Sequence, residues 1–208
     1  MAFITKFYFP LALTSILGLA VQPIITFFLG QSRMAIESLA VLPVINSLVF
    51  IFRTMGLSFQ EVAIALLGEK NEEFKPLRNF ATILGIIVVS LLFIVTFTPL
   101  SVIWFNKVSG LSLELTKFAI LPARILTIIP GLTVLISFQR AILVNNEKTT
   151  PITLATSLEV IIIFITLFFT IEFWNLVGAA AATIAMVIGR LSANVYLFWP
   201  GAKVLKGK

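Results

Sequence analysis

The residues with chemistry to offer in this sequence are ionisable and amide side chains set inside long apolar stretches. Asn46, Arg53 and Gln60 are seven apart and so fall on one stripe of a helix, with Glu61 next to the last of them. A later stretch holds Arg124 near its middle and Gln139 and Arg140 near its end. Thr156, Glu159, Thr166 and Thr170 recur at helical spacing, as do Thr183, Arg190 and Asn194, while the opening stretch adds Ser15, Gln22 and Thr26. Charges at such positions are expensive in a membrane and usually face a protein interior or a water-filled cavity. Arg53, Arg124 and Arg190 outnumber their candidate partners Glu61 and Glu159 by one. The excess predicts a polar cavity of basic bias, suited to an anionic or phosphate-bearing solute, because the planar guanidinium fork matches carboxylate and phosphate. Asn46, Arg53, Gln60, Arg124, Glu159 and Arg190 are the candidate solute-binding residues. A purely structural reading stands beside this one. Glu159 can pair with Arg190, and Glu61 with Arg140; Glu61 and Arg140 can also snorkel to headgroups, and the hydroxyls can bond their own helix backbone.

Other chemistries find little support. The 208 residues include no Cys and no His, which removes disulfides, thiol chemistry and the usual zinc ligands. Any proton coupling must then use carboxylates. No nucleotide-binding loop is present to drive transport with ATP. The chain reads as a non-enzyme with no cofactor and no catalytic set. Twenty phenylalanines read as lipid-facing or core residues, and the mixed-charge turn from Lys70 to Arg78, with Glu69, Glu72 and Glu73, as a solvated loop.

The elements that must position these groups are membrane spans. Hydrophobic residues make up 59% of the chain and charged residues 12%, against ~25% charged in a soluble domain. A spanning helix needs ~20 predominantly apolar residues. Six runs qualify, at about 7–29, 39–67, 76–97, 111–144, 151–171 and 176–199, and together they form one domain over 1–208. The first is too long for a signal peptide and is read as a retained helix. Pro10, Pro76 and Pro151 are expected at helix starts, and Pro200-Gly201 at the close of the last span. Pro23, Pro43, Pro122 and Pro130 fall inside runs and are expected to bend them. The small residues from Gly178 to Gly189 predict close helix packing in span six.

The net charge of +6 is a matter of topology and does not point to nucleic acid. Lys6, Lys70, Lys75, Arg78, Lys148, Lys203, Lys206 and Lys208 share one side with both termini, against Arg33, Lys107 and Lys117 on the other. The positive-inside rule makes the richer side cytoplasmic, which places the chain in the cell membrane with both ends inside. Spans two and three also resemble spans four and five. The segment ESLAVLPVINSLVFIFRTMGLSFQ from Glu37 aligns without gaps to TKFAILPARILTIIPGLTVLISFQ from Thr116, an offset of 79 residues. Shared Pro43/Pro122 and the Ser-Phe-Gln endings at Gln60 and Gln139 mark a parallel internal repeat, a common feature of secondary transporters.

Three stretches carry a family likeness: FYFPLALTSILGLAVQPIITFFLG, ending at Gly30; GLSFQEVAIALLGEKNEEFKPLRNF, from Gly56 to Phe80; and RAILVNNEKTTPITLATSLEV together with NLVGAAAATIAMVIGRLSANVYLF. Through them nearly the whole chain resembles one six-helix half of the multidrug and toxic compound extrusion (MATE) family, and more broadly its superfamily of lipid flippases, polysaccharide exporters and progressive-ankylosis-like proteins. The opening helix looks slightly more like the one that begins a second lobe. The resemblance implies a second six-helix lobe, supplied by a homodimer, a paired half or the rest of a longer chain. It also implies a cavity between the lobes and alternating access. Many cation-coupled members carry an acidic residue in their first helix, whereas residues 7–29 here contain no Asp or Glu; Glu159 is the deep carboxylate left for such a role. The expected function is export or exchange of a small organic, anionic solute by a bilayer-embedded pair of lobes. The rivals are a structural or assembly subunit of a membrane complex, which predicts locally paired charges and no cavity, and a half-sized lipid flippase.

Overall fold

The computed structural model describes residues 2–68 and 71–206. Glu69, Lys70 and Lys208, among the charges invoked above, lie outside the described residues. Among the described residues six helices are long and apolar enough to cross a membrane: Tyr8–Gly30, Ala35–Leu66, Phe74–Phe97, Leu113–Asn145, Thr150–Phe173 and Gly178–Leu205. They are spans one to six. No strand occurs among the described residues beyond one isolated bridge between Arg33 and Val177. The chain is an all-α bundle of membrane-spanning helices.

Span four is the central post and span one the most peripheral. The most apolar window of span four is 56% buried, that of span one only 11%. Spans two and four form one of the two most extensive helix pairs, and glycine explains how close they come. A Cβ on Gly56 would lie 2.9 Å from the backbone nitrogen of Val134. Gly131 makes the matching approach to span three, where a Cβ would lie 2.7 Å from Val89 Cγ2. Without water to expel between helices, such backbone proximity is the main source of packing energy in a bilayer.

The repeat has a structural counterpart. The offset of 79 carries Leu66, the last residue of span two, onto Asn145, the last of span four. It also carries Gly68 onto Glu147, both in the left-handed region with φ of 71° and 57°. Gly68 follows the helix C-cap, where a left-handed residue ends the helix most cheaply. Gly56 maps to Leu135 and meets its neighbour Val134, so the two copies cross at nearly equivalent points. Their loops are tied together: Asn145 Nδ2 donates to Gly68 O at 2.8 Å and to Asn71 Oδ1 at 3.1 Å, and Asn146 Nδ2 donates to Asn71 Oδ1 at 3.1 Å.

The prolines divide. Pro130 follows a 3₁₀ turn, Leu126–Ile128, that breaks span four as expected. Lacking an N–H, Pro130 cannot bond Leu126 O, and the Ile129 N–H takes that carbonyl instead. Two expectations need correction. Pro10 does not start a helix; the first helix, Ala2–Gln31, runs through it. Pro200 does not close the last helix, which continues to Lys206. Each proline forfeits one backbone bond, and the flanking turns hold the helix across the gap. At Pro10 the carbonyl is put to other use, accepting Thr14 Oγ1 at 2.8 Å and Thr153 Oγ1 of span five at 2.7 Å.

At the end away from the basic loops, span six is docked onto the turn between spans one and two. The Gly178 N–H donates to Arg33 O at 3.1 Å, and the Ala179 N–H donates to Ser38 Oγ at 2.9 Å. Ser38 therefore serves as an N-cap from a neighbouring helix.

A basic cavity among the spans

Spans one, two, four, five and six leave a cavity of about 240 Å³ between them. Its charged lining is Arg53, Arg140, Arg190 and Glu159, with Thr14, Gln22 and Thr156 as neutral polar neighbours. Arg190 Nη2 pairs with Glu159 Oε1 at 3.0 Å, and Glu159 is 7% exposed. Arg140 Nη2 donates to Thr156 Oγ1 at 3.0 Å, while Thr156 donates to Ile152 O at 3.1 Å along its own helix. Arg53 Nε and Arg140 Nε are buried with no hydrogen-bond partner. Arg53 and Arg140 line the same cavity as the Arg190–Glu159 pair. Three guanidinium groups thus surround one carboxylate in a low-dielectric setting, where charge–charge effects are strong.

Neighbouring amides hold these arginines in register. Gln139 Nε2 donates to Asn194 O at 3.1 Å, and Asn194 Nδ2 donates to Leu132 O at 3.3 Å. These bonds join span four to span six through residues next to Arg140 and one turn beyond Arg190. Gly189 lets span six close on span five beside the ion pair, since a Cβ there would lie 2.7 Å from Ile163 Cγ1 and 3.1 Å from Glu159 O.

The six candidate residues do not all meet. Arg53, Glu159 and Arg190 line the same cavity. Asn46 lines an adjoining pocket of about 210 Å³, which shares Gln22 with the first and also includes Thr26 and Pro43. Gln60, half-buried further along span two, is not part of either lining. Arg124 stands apart on the exposed side of span four. Its Nε donates to Thr96 O at 3.3 Å and its guanidinium lies 4.9 Å from the centre of the Phe97 ring. Glu61 is exposed, and Arg140, which the sequence offered it as a partner, turns instead to Thr156. Arg140 is the residue that sequence reasoning undervalued. Its position little more than a turn from the end of span four suggested snorkelling; the signal in its favour was Gln139 beside it and a Thr–Glu stripe on the next helix. No group of three or more His, Cys, Asp or Glu side chains stands together among the described residues.

No protein-family profile matches the sequence, and no curated protein does. Solved structures do match by shape. An outward-facing multidrug resistance MATE family transporter of the MOP superfamily superposes with a TM-score of 0.70 at 16% identity, over 95% of this chain and 44% of its own. A MOP superfamily transporter from Pyrococcus furiosus, described by a binding pocket of reverse polarity that suggests a different function, superposes with a TM-score of 0.66 at 20% identity, over 94% and 44%. The chain spans a little under half the length of the transporters it matches. At these identities the likeness concerns the fold, and it meets the six spans from an independent direction. The chain has the fold of one six-helix lobe of a MATE-like transporter.

Proposed function

We propose that the chain acts as one lobe of a secondary transporter that exports or exchanges an organic, anionic solute, completed by a second copy of itself or by a second six-helix half. The observation that carries this reading is the composition of the cavity, with Arg53, Arg140 and Arg190 set against Glu159 alone. An assembly subunit would be served by charges paired locally, yet Arg53 and Arg140 have no carboxylate within salt-bridge distance among the described residues. A reversed pocket polarity has been taken to suggest a different function for the Pyrococcus furiosus transporter. Here the same form of argument rests on this chain's own charges.

The test is flux. In proteoliposomes the chain is expected to exchange labelled organic anions and to leave organic cations in place. Arg53→Ala protein that still elutes and melts as a folded species is expected to lose that exchange. Equal flux in the variant, or a preference for cations, would reject the proposal.

A further inference from the structure

The cavity's charge count is more specific than a basic bias. Three guanidinium groups and one carboxylate leave two positive charges without an internal counterion, at a depth where unbalanced charge is costly. The two unbalanced groups are identifiable. Arg190 is taken by Glu159 at 3.0 Å, whereas Arg53 and Arg140 have no acidic partner and each carries a buried, unpartnered Nε. Arg140 commits one Nη to Thr156, which holds its guanidinium in place without neutralising it. From this we infer that the cavity binds a phosphate-type dianion, clamped between Arg53 and Arg140, with Glu159 as a resident anion that keeps Arg190 out of the clamp. A tetrahedral dianion presents several acceptor oxygens on one small centre, which suits two guanidinium forks that line one cavity. The inference deepens the transport proposal by naming the solute class of the same site. The phosphate can belong to a water-soluble monoester or to a lipid headgroup, and the experiment separates the two.

Binding is measured by calorimetry on the full chain in nanodiscs of neutral lipid, at constant ionic strength. The probes are sulfate, inorganic phosphate, chloride, acetate and succinate. Sulfate and phosphate at pH 8 are expected to bind ~10-fold or more tighter than the monoanions, and tighter than succinate, whose charges sit on separate carboxylates. Arg53→Met and Arg140→Met are each expected to weaken sulfate ~10–100-fold, the loss typical of a charged hydrogen-bonding group. Lys148→Met, which removes one loop charge, is expected to change nothing. Glu159→Gln frees Arg190 and is expected to tighten sulfate binding. If a methionine variant does not fold, Arg53→Lys and Arg140→Lys replace it and are expected to lose several-fold, because the charge stays and the fork goes. Chloride or acetate binding as tightly as sulfate, succinate binding more tightly than sulfate, full affinity in the Arg53 and Arg140 variants, or weaker binding in Glu159→Gln would each overturn the inference. Competition by glycerol phosphate identifies a soluble source, and competition by phosphatidic acid in the nanodisc a lipid one. Dianion binding without flux would reject transport and leave the site standing. Flux of a monoanion that sulfate does not inhibit would do the reverse.

Discussion

Glu159 and Arg190 show how a residue pair can be both structural and part of a site. The pair stands at 3.0 Å with Glu159 buried and Arg190 partly so, and the sequence's structural reading of it is met; it also forms one wall of the cavity. Removing one member of a buried pair leaves an uncompensated charge and typically costs ~3–5 kcal/mol. Glu159→Ala, which leaves three guanidinium groups in the cavity with no carboxylate, is therefore expected to lower thermal stability markedly, and Glu159→Ala with Arg190→Met to recover part of the loss. A double variant as unstable as the single one would show that Arg190 is satisfied elsewhere. Thr156 illustrates the same duality on a smaller scale, donating to its own helix while accepting from Arg140. The contrast between Arg124 and Arg140 shows what the sequence could not supply. Depth along the chain favoured Arg124, but the direction each side chain takes around the axis of span four decides which of them reaches the cavity. That direction depends on how span four is rotated against spans two and six.

The rotation of each element is set by small residues at the crossings. Gly56 at Val134, Gly131 at Val89 and Gly189 at Ile163 are places where even a methyl group would force a neighbour to shift, the backbone at Val134 and the side chain at Val89 and Ile163. Gly56→Val is expected to destabilise the bundle by ~1–3 kcal/mol, the usual cost of overpacking, read as a lower melting temperature in detergent. The start of span six is equally exacting. A Cβ on Gly178 would collide with Ser32 Oγ and crowd Ser38 Oγ, the acceptor of the Ala179 N–H. Ser38→Ala removes that cap and is expected to cost ~0.5–2 kcal/mol, with faster amide exchange in the first turn of span six as the specific readout. Such cross-helix capping leaves no local signature, since Ser38 and Ala179 are far apart in sequence. Proline was a better guide inside span four than at helix ends. Pro130 is preceded by the 3₁₀ break, whereas Pro10 and Pro200 lie within continuous helices, because a long helix tolerates the loss of one bond.

At the scale of the whole molecule, span lengths and exposed polar groups set the terms. Spans two and four, at 32 and 33 residues, are ~50 Å long against a hydrocarbon core of ~30 Å, so they tilt or extend beyond it. Gln22 and Thr26 on span one are exposed although they line pockets, which is how a face opening toward a second lobe would look. In nanodiscs the chain is expected to run as a dimer by native mass measurement; a strict monomer with no partner half would weigh heavily against the paired-lobe proposal. The absence of cysteine makes orientation directly testable. A cysteine replacing Lys148 is expected to react with a membrane-impermeant maleimide only from the cytoplasmic side, and one replacing Lys107 only from outside. The opposite labelling would invert the assigned topology.

The sequence by itself determined the number of spans, the parallel repeat and the basic bias of the buried charges. Bilayer thickness dictates the length of every apolar run, so helices in a membrane are written linearly, and duplication leaves its offset in the residue numbers. Tertiary structure decided which charges share a space. Arg140 joined Arg53, Arg190 and Glu159, Asn46 was placed in the adjoining pocket, and Arg124 was left beside Phe97. These outcomes turn on the rotation and close approach of helices far apart in sequence, which glycines and buried amides fix through contacts that no single apolar run records.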